Sequence, residues 1–219
     1  MPNWCNNRLQ VTGNDFEVSR FVKENQGEDC PLSFNASVPE ERNDIRWWIP
    51  AEKADVDGPV IHTPKGDFKF DWYNWRLVNW GTKWDCSDVC MDADPGCATY
   101  DFSTAWCAPV DWIRAIVKKY PTLSFSLTAC EPGNDYLLFM EGEDGEYSMT
   151  QESYSDVLLT PEKKRAEVLR ALEDEGLNPD EYDIERIIDE CEFVACEDLS
   201  DIYNSDLELW DCDFEEFKK

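Results

Sequence analysis

The chain has 219 residues and carries 48 acidic against 20 basic side chains, a formal net charge of −28. That balance excludes unaided binding of DNA or RNA phosphates, which needs clustered Lys and Arg, and it argues against docking on anionic membrane surfaces. Ten Trp and eight Tyr bury much area per residue, so a folded, ring-rich core is expected in spite of the charge.

In chain order, the first residues have neither the basic stretch nor the apolar run of a secretion signal. No window reaches the ~18–20 apolar residues of a membrane span. A protein of the host cytoplasm with reduced thiols is therefore expected. Residues 7–12 alternate polar and apolar side chains, as a half-buried strand does. Asn14 or Asp15 then caps a short helix carrying Phe16, Val18, Phe21 and Val22. Residues 28–70, rich in Pro, Gly and Asp, read as loop with brief extended pieces. Trp72, Trp75, Leu77 and Trp80 take helical spacing. Residues 99–106 form a strand and 109–120 an amphipathic helix started by Pro109. Residues 123–130 and 136–140 are strands, and Glu143 to Glu146 turns the chain into another over 147–150. From Thr160, a helix cap, the pattern is helical, with Val168, Leu169 and Leu172 as the stripe and Gly176 as the stop. Asn178-Pro179-Asp180 repeats the start signal ahead of Ile184, Ile187 and Ile188. Residues 197–217 interleave acids with aromatics, which suits a docked helix or an interaction tail equally.

This order predicts an α+β fold: a ferredoxin-like split βαβ sandwich over residues 1–152, with an insertion at about 35–95, then an acidic, mostly helical region over 153–219. The charge is graded along the chain. Between Ala171 and Phe217 there are 19 acids and one base, Arg186.

Four segments stand out: Pro2-Asn3-Trp4-Cys5-Asn6-Asn7 with Val11-Thr12-Gly13; Asn79-Trp80-Gly81-Thr82-Lys83-Trp84-Asp85; Phe102-Ser103-Thr104-Ala105-Trp106; and Tyr120-Pro121 followed by Glu131-Pro132-Gly133. In combination they resemble the YubB-like family of phage and conjugative-plasmid proteins over about residues 1–150. The resemblance implies a mobile-element origin, a ferredoxin-like domain and a biochemical role that is unassigned. The chain departs from the family at Cys107-Ala108-Pro109, where Ser-Pro-Pro is usual. Residues 86–97 and the acidic region after 153 have no family counterpart.

Three constellations carry chemistry. Asn6, Asn7, Lys83, Asp85 and Glu131 lie in the motif segments, where they either orient a small ligand or nucleotide against Trp84 or Trp106, or fasten loops around the core. No nucleophile–base pair at a recognised spacing is visible, and the lone His62 limits His chemistry, so no catalytic residue and no cofactor are assigned. Cys86, Cys90, Cys97 and Cys107 form the densest thiol cluster, but their spacings are loose for tetrahedral zinc and suit packed core thiols better. Asp92-x-Asp94-x-Gly96 falls one residue short of a calcium loop. Trp47, Trp48, Trp72, Trp75, Trp80, Trp84, Trp106 and Trp112 either form a base-stacking platform, which lacks the positive groove it needs, or pack the core, the better account; Trp47 and Trp48 are the pair expected to be most exposed.

The acidic residues are the remaining candidate: Glu173, Asp174, Glu175, Asp180, Glu181, Asp183, Glu185, Asp189, Glu190, Glu192, Glu197, Asp198 and Asp201. They are either a solvated surface or a binding face for a host protein with a basic surface. The expected function is that of a non-enzymatic mobile-element accessory protein that binds such a partner, as a DNA mimic acting on a defence or nucleic-acid-binding protein or by another mode of protein binding. The alternatives are a small-ligand domain and a metal-stabilised interaction module.

Overall fold

A computed structural model describes residues 3–195, 199, 202, 207–210 and 212–219. Strand β1 (Trp4–Thr12) keeps its alternation, with Cys5, Asn7, Leu9 and Val11 buried and the residues between them on the other face. Asn14 caps α1 (Asp15–Glu24), its Oδ1 accepting from the Phe16 amide at 3.0 Å. Phe21 fixes that helix on the sheet, edge-on to Tyr120, Phe125 and Tyr100 at centroid distances of 5.2, 5.6 and 6.3 Å.

The stretch read as loop contains α2 (Phe34–Ser37) and a small sheet in the order β2 (Trp48–Pro50), β4 (Gly66–Phe70), β3 (Val60–Thr63), and the helical spacing that follows it is α3 (Trp72–Asn79). One turn of helix does not persist alone. Asp85 holds α2 in place, accepting from the Phe34 amide and the Ser33 hydroxyl, each at 2.7 Å. That turn in return satisfies two buried indoles. Trp112 Nε1 donates to Ser37 Oγ at 2.8 Å, and Trp80 Nε1 to the Val38 carbonyl at 2.9 Å. Trp47 and Trp48 are half-buried rather than the most exposed, because Trp48 packs on Phe70 at 5.8 Å. The exposed indoles are Trp4, Trp106 and Trp210.

The insertion ends earlier than expected. Residues 87–94 form β5 (Ser87–Asp94), an edge strand of the main sheet whose solvent exposure leaves it no need of apolar residues. Then follow β6 (Cys97–Ala105), α4 (Val110–Lys119), β7 (Ser124–Glu131), β8 (Tyr136–Glu143) and β9 (Glu146–Ser153). The sheet order is β5-β6-β1-β7-β8-β9 and every neighbouring pair is antiparallel. The helices α1 and α4 bury Val18, Phe21, Trp112 and Ile116 in one core with Leu9, Tyr100, Leu127 and Leu138 of the sheet. At Gly142 of β8 a Cβ would overlap the Val117 side chain of α4, so only glycine admits the helix this closely.

The C-terminal region is α5 (Tyr154–Leu158), α6 (Pro161–Asp174) and α7 (Ile184–Glu190), then an antiparallel ribbon of β10 (Glu192–Ala195) and β11 (Leu207–Trp210). The ribbon is an addition to the helices expected here: residues 192–195 and 207–210 alternate with period two, which selects strand. Asn178-Pro179-Asp180 opens only a 3-10 turn. The cap of α7 is Asp183, accepting from the Arg186 amide at 3.3 Å. A second core of Leu158, Val168, Leu172, Ile187 and Phe193 closes over Cys130, Leu137 and Phe139, on the sheet face opposite α1 and α4.

Candidate interaction surface

The motif residues with a ligand role in prospect are mostly engaged in holding the fold. Asn6 and Asn7 are neighbours on β1 and face opposite sides of the sheet. The buried Asn7 amide donates to the Cys5 carbonyl and to Thr104 Oγ1, both at 2.8 Å, and so fastens β1 to β6. Asp85 is committed to α2 and to the Cys86 amide at 2.9 Å. Glu131 is 3% exposed, and its Oε1 caps the turn over Pro132–Asn134 by accepting from the Gly133 amide at 2.9 Å. Lys83 lies over the Trp84 ring at 4.5 Å, and Trp84 packs on Trp4 at 6.0 Å. Trp106 holds a left-handed φ of 73°, uncommon for so bulky a residue, and stays largely exposed. The five best-formed cavities are lined by other residues than Lys83, Asp85 and Glu131.

The four thiols of the sequence cluster are likewise separate. Cys86 donates to the Leu32 carbonyl and Cys107 to the Gly81 carbonyl, each at 3.2 Å. Cys90 stands opposite Asp101, and Cys97 opposite Asp94 at the other end of the same hairpin. Among the described residues no three His, Cys, Asp or Glu side chains gather to hold a metal ion. Burial raises the Cys5, Cys86 and Cys107 thiols above their ordinary value, the opposite of what a thiolate nucleophile needs. Gly96, with φ of 78°, makes the β5–β6 turn that the calcium-like spacing had marked.

The carboxylates of the C-terminal region are placed differently. Glu173, Asp174 and Glu175 end α6; Asp180, Glu181 and Asp183 surround the following turn; Glu185, Asp189 and Glu190 lie on α7; and Glu192 opens β10. All ten are exposed, while Val168, Leu172, Ile184 and Ile187 of the same helices point inward. Glu197, Asp198 and Asp201 lie outside the described residues. Three of the ten meet a base: Asp174 pairs with Arg170 at 3.4 Å, Glu185 with Arg165, and Glu190 with Arg186 at 2.8 Å. The Arg186 guanidinium holds the Glu190 carboxyl below its ordinary range. Neither α6 nor α7 has a base in its last turn. Acids there face the negative end of the helix dipole, a placement that opposes helix stability.

Residues 79–164 match the family model of the ferredoxin-like domain in Api92-like protein. The matched stretch supplies β5 to β9, five of the six strands of the main sheet. The crystal structure of a protein api92 from Yersinia pseudotuberculosis is similar at a TM-score of 0.46 and 11% identity, covering 70% of this chain and 98% of that one. No curated protein matches the chain. The carboxylates from Glu173 onward lie beyond the matched stretch.

Within that stretch the sheet face turned away from α1 and α4 is also polar and acidic. Asp92, Asp101, Glu141 and Glu152 stand among Ser103, Ser126, Ser148 and Thr150, with Arg8 paired to Asp101 at 3.2 Å. A shallow cavity of about 500 Å³, lined by Gln10, Ser126, Glu141 and Ser148 among others, opens on this face. Among the described residues no helix is long and apolar enough to cross a membrane.

Proposed function

We propose that the chain is a non-enzymatic accessory protein of a phage or plasmid that binds a host protein with a basic surface through the carboxylates of its C-terminal region. The observation that carries this reading is the gathering of exposed acids at the C-terminal ends of α6 and α7, with no base in either last turn. Fold stability disfavours that arrangement, so solubility alone, which acids anywhere on the surface supply, is a weak account of it. Duplex DNA carries a charge about every 1.7 Å of axis, and a helix rises about 1.5 Å per residue. Within the helices, Glu173 and Asp174 at the end of α6 and Glu185, Asp189 and Glu190 on α7 approach that density within severalfold. Mimicry of DNA is the sharpest form of the reading, and such a decoy associates fast and lets go in salt.

The test immobilises the full chain in host lysate at low salt. The reading expects a basic protein to be retained and to be displaced by duplex DNA. A retained basic protein that DNA leaves in place removes mimicry and keeps acidic docking. No basic protein retained removes both.

A further inference from the structure

The ribbon β10–β11 has two unlike faces. Phe193, Ala195, Leu207 and Leu209 turn inward, while Glu192, Val194, Glu208 and Trp210 turn outward. Register sets Glu192 directly opposite Trp210, and Val194 opposite Glu208. Trp210 is 60% exposed, and among the described residues no Lys or Arg stacks on its ring. On the ribbon's other side Lys164 lies over the Phe193 ring at 5.0 Å. A large ring in solvent, with Glu192 directly across the pair and Glu208 two residues before it on the same face, combines an aromatic anchor with acidic neighbours.

Resting on the acidic-surface reading, we propose that this outer face is where the partner docks, and that it recognises an arginine side chain of a basic protein. The guanidinium plane stacks on the Trp210 indole while its N–H fork donates to the Glu192 carboxylate. Directly opposed residues of an antiparallel pair have Cβ atoms about 4.5–5.5 Å apart, which lets one guanidinium reach both groups. Lysine, a compact ammonium without a planar fork, cannot make the two contacts together as well. The rest of the acidic surface then supplies long-range attraction, and the ribbon supplies choice.

The experiment measures binding of fluorescein-labelled octa-arginine and octa-lysine peptides to the full chain by anisotropy, at low and at physiological salt. The native chain is expected to bind octa-arginine several-fold more tightly than octa-lysine. Trp210→Ala should weaken octa-arginine about five-fold and leave octa-lysine nearly unchanged. Trp210→Phe should keep part of the preference, and Glu192→Gln should reduce it. Neutralising Glu173 and Glu175 to Gln, away from the ribbon, should weaken both peptides alike. If Trp210→Ala lowers the melting temperature, Trp210→Phe and Glu192→Gln carry the comparison. An unchanged arginine preference in the ribbon variants, with binding still lost on neutralising Glu173 and Glu175, overturns the ribbon site and leaves the acidic surface standing. Failure of the native chain to bind either peptide at low salt overturns the acidic surface itself, and the ribbon site with it.

Discussion

Asp85 sits where the sequence allows either a ligand contact or a loop fastening, and its hydrogen bonds are of the second kind. Its place in a rare motif beside Lys83 and Trp84 suggests a ligand site, yet both its oxygens are spent on the one-turn helix α2. Removing them orphans the amides of Phe34 and Cys86. Asp85→Ala should therefore cost about 1–3 kcal/mol, read as a lower denaturation midpoint with an unchanged slope. Asp85→Asn, which keeps one acceptor, should cost less. Tyr120 offers a pH signature. Burial, and then its hydrogen bond to the Glu24 carboxylate at 2.7 Å, push its phenol up to about 12 from an ordinary 10.0. A phenol whose value rises on folding supports the fold fully below the unfolded value, and that support is lost as pH climbs from about 10 to about 12. The melting temperature of the native chain should fall through that window more steeply than that of Tyr120→Phe. What sequence can reveal at this scale is the residue type; which partner takes each oxygen depends on the loop that arrives from fifty positions away.

At the scale of elements, strands with one buried face and helices with clear caps are legible. Residues 7–12 alternate, Asn14 and Thr160 cap as their chemistry demands, and Gly176, with φ of 70°, ends α6. The elements that escape are those whose stability comes from elsewhere. The edge strand β5 is nearly all exposed, α2 is a single turn held by Asp85, and β10 and β11 are four residues each. Of the candidate site, the acidic run is plain in the sequence, but the cross-strand pairing of Glu192 with Trp210 needs the register. Two variants test the elements. Gly142→Ala sets a methyl against Val117 and should destabilise by about 1–3 kcal/mol. Asp189→Asn relieves a charge in the last turn of α7 and should stabilise by about 0.3–1 kcal/mol while weakening partner binding. Opposite signs for stability and binding in one variant are what separate a functional carboxylate from a merely solvated one.

For the whole molecule, two acidic surfaces stand out within the net charge of −28. One is the open sheet face built mostly from residues 79–164; the other is the C-terminal helices and ribbon beyond it. The second is packed on the first through Cys130, Leu137 and Phe139, so deleting residues 153–219 would expose apolar sheet as well as remove acids. Self-repulsion at this charge opposes compactness, and neutral salt screens it over a Debye length of about 8–10 Å. The melting temperature should accordingly rise from low salt to 0.15 M and beyond, while association with a basic partner falls over the same range. The most direct test of the central claim compares host proteins captured at low salt by the full native chain and by a chain with Glu173, Glu175, Asp189 and Glu192 changed to Gln or Asn. The account predicts a basic protein held by the native chain and lost from the variant at equal folded protein. Capture of the same proteins by both chains would contradict it.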